Sequence, residues 1–273
     1  MAHAQAVAQS SAPGTGQPSS ASEPASLPVH TTGLEHVSLW VPDVAKAGEF
    51  YGRVFNPELH KEKELPLRYY VPLGVGYIAI GAKFDARTQK DRPVQIDHYC
   101  ALVEGYNPAA MGELLKTIGL PPGRFGMIPD PDGTQLQLLG VPGGLAKSTE
   151  PAGRIVPEDP LLRPVGVDHV VVNVSDLETA LPFYRLFFGQ ESAKTADQAW
   201  FQVANTRLGL SKAPAGESPR VAYFCVNVAR FDRKSIAQKL QQLQAEVLPS
   251  SNDAGGHLRF KDPVGITVEV KPV

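Results

Sequence analysis

The side chains able to do chemistry are few in this chain, and several of them recur. His36 lies in GLEHVSLWVPDVAKAGEFYGRVF (33–55) and His169 in GVDHVVVNVSDLETALPFYRLFF (166–188), 133 residues later. Cys100 lies in IDHYCALV (96–103) and Cys225 in VAYFCVNV (221–228), 125 residues apart. Asp130 opens DPDGTQLQLL (130–139) and Asp262 opens DPVGITVEVK (262–271), 132 apart. Two cysteines are too few for a disulfide framework or a four-thiolate zinc site. They read as buried free thiols rather than a single bridge, and as packing rather than a soft-ligand or redox pair. Asp43, Asp176, Asp130 and Asp262 suit caps and turns, where a short carboxylate accepts bonds from free backbone amides.

The elements that must position these residues repeat as well. Nine of the 23 positions in the first two blocks are identical, and three blocks recur in one order, so the chain is an internal duplication. LEHVSLWV and VDHVVVNV are rich in branched and aromatic residues and predict strands. Asp43 and Asp176 follow as N-caps, and Val44, Ala47, Phe50, Tyr51, Val54 and Phe55 recur at helical spacing. RYYVPL and GYIAIGAK predict further strands, and the pattern then restarts with VQIDHYCALV, a helix over 108–118 and strands ending in TQLQLL. The second half repeats it, with QAWFQV, TRLGLS, RVAYFCVNV, a helix over about 231–245, HLRF and ITVEV. Each half is therefore strand–helix–three strands, twice, with one short strand per unit unmarked by any pattern. The run His60–Glu64 predicts a solvated loop.

Around these halves lie two irregular segments. Residues 1–30 are mostly Ala, Ser, Pro, Gln and Gly with no aromatic residue, a composition that cannot offset the entropy of ordering. They predict a disordered tail, either solvated from the start or left after removal of a signal segment; the compartment stays open between cytoplasm and export. Residues 141–165, broken by Pro142, Gly143, Gly144, Pro151, Pro157, Pro160 and Pro164, predict a linker or surface strap between domains at 31–140 and 166–273. With 26 basic and 28 acidic residues the net charge is −2, without the basic excess of a nucleic-acid binder. No apolar run approaches the length of a membrane span.

The strand-opening histidines, the Phe-Tyr helix ends and the Asp-Pro-x-Gly turns together resemble the vicinal-oxygen-chelate superfamily, over 33–140 and 166–272. That superfamily includes glyoxalase I, fosfomycin- and bleomycin-resistance proteins and extradiol dioxygenases. The resemblance implies an α+β fold of tandem duplicated domains, each of two βαβββ modules forming a curved mixed sheet around a cavity. It also implies a divalent metal ion (Zn, Ni, Mn or Fe) held by His, His and Glu, with open positions for two substrate oxygens. Carried over residue by residue, the first copy offers His36, His98 and Gln137; the second, weaker set is His169, Tyr223 and Glu269. Gln137 brings no negative charge, and Tyr223 would have to lose a proton of pKa near 10 to ligate strongly.

The implied function is a small-molecule metalloenzyme of glyoxalase-like type, a lyase or isomerase acting on adjacent oxygens. A metal-free ligand-sequestering protein of bleomycin-resistance type is the alternative, and an extradiol-type dioxygenase a further one. Extradiol enzymes tend to place a catechol-contacting Tyr where this chain has Met127 and Arg259, which counts against ring cleavage. Ser38 and Trp40 share a strand face with His36, and Gln135 with Gln137, so all three are expected to line the first cavity. Glu35 falls on the opposite parity, which leaves the general base unassigned. The partner is a small molecule, with no nucleic acid or membrane; the duplicated domains could pair within one chain or between two as a homodimer.

Overall fold

A computed structural model describes residues 29–120, 122–249 and 256–273; apart from Val29 and His30, the expected tail lies outside the described residues. The first half runs β1 (Thr31–Val41), α1 (Val44–Val54), β2 (Glu58–Glu62), β3 (Arg68–Pro72) and β4 (Tyr77–Ala82). A small hairpin of β5 (Phe84–Asp85) and β6 (Lys90–Asp91) leads to β7 (Gln95–Val103), α2 (Pro108–Thr117), β8 (Met127–Pro129) and β9 (Gln135–Gly140). After β10 (Thr149–Arg154) the pattern returns as β11 (Arg163–Val174), α3 (Leu177–Phe188), β12 (Ala193–Lys194), β13 (Gln198–Val203) and β14 (Thr206–Lys212). It closes with β15 (Arg220–Ala229), α4 (Arg233–Gln242), β16 (Glu246–Val247), β17 (Leu258–Lys261) and β18 (Thr267–Pro272).

Among the described residues, sixteen strands join one large curved sheet. In each half the first strand lies between a parallel and an antiparallel neighbour: β1 between β4 and β7, β11 between β14 and β15. The second module then adds β9 beside β7 and β18 beside β15, both parallel. This parallel return across a helix is what brings the ends of distant segments onto one face. The fold is thus α+β, with a mixed sheet carrying four described helices.

The helices start where the sequence caps them. Asp43 accepts from the Lys46 amide at 3.0 Å and Asp176 from the Thr179 amide at 2.8 Å, each satisfying a free first-turn donor. The apolar stripe of α1 is buried against β3 and β4, and α3 packs on β13 and β14. A single continuous core runs through both halves, from Tyr51 and Ile80 to Tyr184 and Phe260.

The two Asp-Pro-x-Gly turns do more than turn. Oδ1 of Asp130 accepts from the amides of Asp132 and Thr134, while Oδ2 accepts from the Tyr184 hydroxyl of the other half at 2.7 Å. Asp262 does the same, binding the amides of Val264 and Ile266 and accepting from Tyr51 at 2.9 Å. The Phe-Tyr motif and the Asp-Pro turn are therefore reciprocal partners across the duplication.

Three sequence expectations change. Residues 60–62 are not a solvated loop but part of β2, paired with β3 and β10. The 141–165 segment is not wholly irregular: Thr149–Arg154 forms β10, an edge strand, where Pro151 lacks a donor the ladder can forgo. In the second module of the first half, two strands rather than three follow the helix among the described residues, β8 and β9. The described residues that follow α2, Leu120, Pro122 and Gly123 among them, are irregular, and a proline cannot donate to a ladder.

Candidate functional site

The three residues expected in the first half do meet. His36 on β1, His98 on β7 and Gln137 on β9 line one cavity of about 710 Å³, together with Arg68, Tyr70 and Tyr77. The His36 and His98 rings meet edge to face with centroids 5.5 Å apart, and Tyr77 stacks on His36 at 4.4 Å. Gln137 donates its amide N–H to the Phe125 carbonyl at 2.9 Å, which leaves Oε1 as its donor atom toward the cavity. Burial lowers the His36 pKa despite its Glu35 partner, so the ring is neutral and able to ligate near pH 7.

Glu35 is not turned away as strand parity implies. In the β1–β7 ladder Leu34 faces Ala101 and His36 faces Cys100, so Glu35 is an extra, unpaired residue, a β-bulge. The bulge lets its carboxylate reach Nδ1 of His36 at 3.0 Å. Asp97 is the extra residue of β7 and binds Nδ1 of His98 at 2.7 Å; Asp168 is that of β11 and binds Nδ1 of His169 at 2.6 Å. The fourth equivalent position is Ala222, before Tyr223. Three imidazoles are thus oriented by the acid preceding them, with Nε2 as the remaining ring donor, an arrangement that fixes tautomer and raises basicity at metal sites. The visible signal was the repeated acid–His pair: Glu35–His36, Asp97–His98 and Asp168–His169.

The segment after β9 closes over this site. The Gly144 amide donates to Glu35, and Gly143, at φ +74°, lies so close to Glu35 and Leu102 that no side chain fits there. Leu145 packs on Tyr70, Tyr77 and Ala79. Glu62 at the end of β2 lines the same cavity and accepts from the Tyr70 hydroxyl; burial and that bond push the Tyr70 pKa up to about 12.

Ser38, Trp40 and Gln135 do not line this cavity. Trp40 and Gln135 open instead onto a smaller cleft between the halves, with Pro219 and Arg220, and Arg92 stacks on the Trp40 ring at 4.1 Å. Trp40 shares the His36 parity but lies about 13 Å further along the strand, so face and cavity part company. Ser38 is fully buried, its hydroxyl without a partner among the described residues. Cys100 and Cys225 are free and buried. Each has ligand atoms of a carboxylate and a histidine within 4.8 Å, Glu35 with His36 and Asp168 with His169. Burial pushes both thiols well up, so they are neutral, and the carboxylates are already committed to the imidazoles.

In the second half the same positions come together around a different occupant. Glu269 on β18 faces Cys225 and Arg259, as Gln137 faces Cys100 and Met127. Its Oε1 lies 3.7 Å from Nε2 of His169 and accepts from Nδ1 of His257 at 2.7 Å. Its Oε2 accepts both Nε and Nη2 of Arg259, at 3.0 and 2.6 Å. The same guanidinium lies over the Tyr223 ring at 3.9 Å. Burial pulls the Glu269 pKa upward, but Arg259 and His257 outweigh it and hold the carboxylate below its ordinary range. Tyr223 is pushed up to about 12, chiefly by burial, and stays a neutral phenol. Asp168 is held low against its burial by His169, Lys271 and Arg207. The cation among these groups is the protein's own.

Residues 166–270 match the model of the glyoxalase/bleomycin resistance protein/dioxygenase superfamily. That match spans the second half of the chain, and the first half repeats the architecture of the second. Among solved structures, a catechol 2,3-dioxygenase is similar with a TM-score of 0.63 at 17% identity, covering 90% of this chain and 89% of that one. The Mn(II)-bound glyoxalase from Novosphingobium aromaticivorans gives 0.62 at 15% identity, covering 89% and 83%. The 2,3-dioxygenase LapB from Pseudomonas sp. KL28 gives 0.63 at 12%, covering 89% and 93%. At these identities the likeness is one of fold. No curated protein sequence matches.

Proposed function

We propose that the protein is a small-molecule metalloenzyme whose working centre lies in the first half, with His36, His98 and Gln137 holding a divalent ion. The observation that supports this most is the pair of imidazoles, each braced at Nδ1 by its own carboxylate and sharing a cavity with an amide oxygen. Two nitrogens and one oxygen suit Zn, Ni, Mn or Fe, and a bound ion would act as a Lewis acid on two adjacent substrate oxygens. The chain's own part is orientation. Glu35 and Asp97 hold the imidazole protons at Nδ1, Tyr77 fixes the His36 plane, and the 143–145 segment limits access of water.

Lyase or isomerase chemistry of glyoxalase type is the preferred reaction class, because Met127 and not a tyrosine stands beside Gln137 on β8. Ring cleavage of a catechol is the second reading, favoured by the dioxygenases among the similar structures. The deciding experiment is elemental analysis of purified protein after mild chelation and reloading. About one ion per chain, lost in His36→Ala and in His98→Ala, supports the proposal. A protein that takes up no ion at His36 and His98 yet binds small aromatic ligands would instead be a sequestering protein.

A further inference from the structure

The far end of the first cavity carries a guanidinium that reaches the Glu62 carboxylate only through the Tyr70 hydroxyl, with no direct ion pair. Arg68 on β3 is half-buried in the cavity wall and makes no ion pair among the described residues. The arginines around the second half's cluster differ: Arg259 is bound to Glu269 and Arg207 to Asp168. Glu62, the carboxylate of the cavity lining, is engaged by the Tyr70 hydroxyl. The Arg68 guanidinium lies over Gly81, its directly paired neighbour on β4, where an added Cβ would sit 3.0 Å from Nη2. The glycine leaves room for the head group against the sheet.

Between this guanidinium and the histidines the wall is aromatic. Tyr77 stacks on His36 at 4.4 Å, and Tyr70 meets Tyr77 edge to face at 5.6 Å. Arg68 and Tyr70 share one face of β3, and Tyr77 and Ala79 the matching face of β4. A planar, apolar body fits along this wall, with donors at one end and a fork of N–H groups at the other.

We infer that Arg68 is an anion anchor, and that the cavity takes a small planar ligand with adjacent oxygens at one end and a carboxylate at the other. A planar guanidinium pairs with a carboxylate through two parallel hydrogen bonds, stronger than neutral ones. This inference rests on the reading of the first cavity as the ligand site, and it deepens it by naming the ligand class.

Binding titrations on the Mn(II)-loaded protein compare 3,4-dihydroxybenzoate with catechol, which lacks the carboxylate. The dihydroxybenzoate should bind about tenfold or more tightly, and Arg68→Met should remove the preference while leaving catechol binding unchanged. Arg68→Lys keeps the charge without the fork and should retain part of the preference. Equal affinities in the wild type, or an unchanged preference in Arg68→Met, overturns the inference. A parallel titration of metal-free protein with benzoate reads the anchor alone. Benzoate binding lost in Arg68→Met upholds the anchor even where elemental analysis finds no ion, an outcome that defeats the metal reading separately. No benzoate binding in the metal-free wild type, together with no dihydroxybenzoate preference, defeats the anchor.

Discussion

The first half pairs Gln137 with Met127 and sets His98 two residues before the Cys100 that faces Gln137; the second pairs Glu269 with Arg259 and sets Tyr223 two residues before Cys225. The first trio can be wholly uncharged and borders an open cavity. The second contains a carboxylate and a guanidinium that satisfy each other, with His257 completing the carboxylate. The lesson is one of charge balance. A buried carboxylate must find a cation, and the arginine directly opposite it on the neighbouring strand is that cation here. The half that kept the fuller acid at its third position is the half in which the protein itself neutralises it.

The sharpest way to break this contrast is to remove the histidines. His36→Ala or His98→Ala should weaken Mn(II) or Zn(II) binding by more than about a hundredfold, while His169→Ala leaves stoichiometry unchanged, read by elemental analysis after dialysis. Equal losses from all three would abolish the asymmetry. Smaller effects are expected from the bracing acids: Glu35→Gln and Asp97→Asn should each cost about 10–100-fold in metal affinity, with no loss from Asp168→Asn.

The contrast can also be erased by construction. Arg259→Met with Tyr223→His gives the second half the neutral neighbours of the first and keeps its glutamate, and should raise the content toward about two ions per chain. Unchanged stoichiometry in a folded double variant would show that Arg259 is not what excludes the ion.

Next in size is stability. Glu269→Gln leaves Arg259 without its carboxylate and should cost about 1–3 kcal/mol, less than a fully buried pair because the arginine is partly exposed. Because Glu269 and Asp168 titrate lower in the fold than in the open chain, their contribution is full above the ordinary carboxylate range. It is lost as the pH falls through their folded values. Thermal melts from pH 7 to 3 should therefore show a steeper acid loss in the wild type than in Glu269→Gln. The smallest effect is expected from Tyr51→Phe or Tyr184→Phe, each removing one cross-half hydrogen bond at about 1 kcal/mol, measured by denaturant titration.

Much of the architecture was legible because it rests on local chemistry. Asp43 and Asp176 cap helices wherever they fall before a free amide, and the α1 stripe repeats at a helical period. The grouping of His36, His98 and Gln137 followed from the duplication and the resemblance. The bracing acids were marked only by their recurrence before each histidine, while alternation assigns Glu35 to the opposite face and carries no mark of a bulge. Arg259 was seen ten residues before Glu269, but its grip on that carboxylate depends on the β17–β18 register, which spacing alone leaves open. Trp40 failed for a different reason: parity gives a side of the sheet and says nothing of distance along it. β2 was hidden in a charged run because its strand pairs near the sheet's rim, where His60 and Lys61 have ladder partners on both sides.

The exchange of tyrosines between the halves has a bearing on how the molecule can be divided. Tyr51 completes the turn of the far half and Tyr184 that of the near one, so neither fragment cut within 141–148 is self-sufficient at its own hairpin. Co-expressed fragments 29–145 and 146–273 should find each other and rebuild the sheet, whereas either alone would expose an unfilled aspartate. The half whose cluster is shut by its own arginine thus serves as the clasp that keeps the other one shaped.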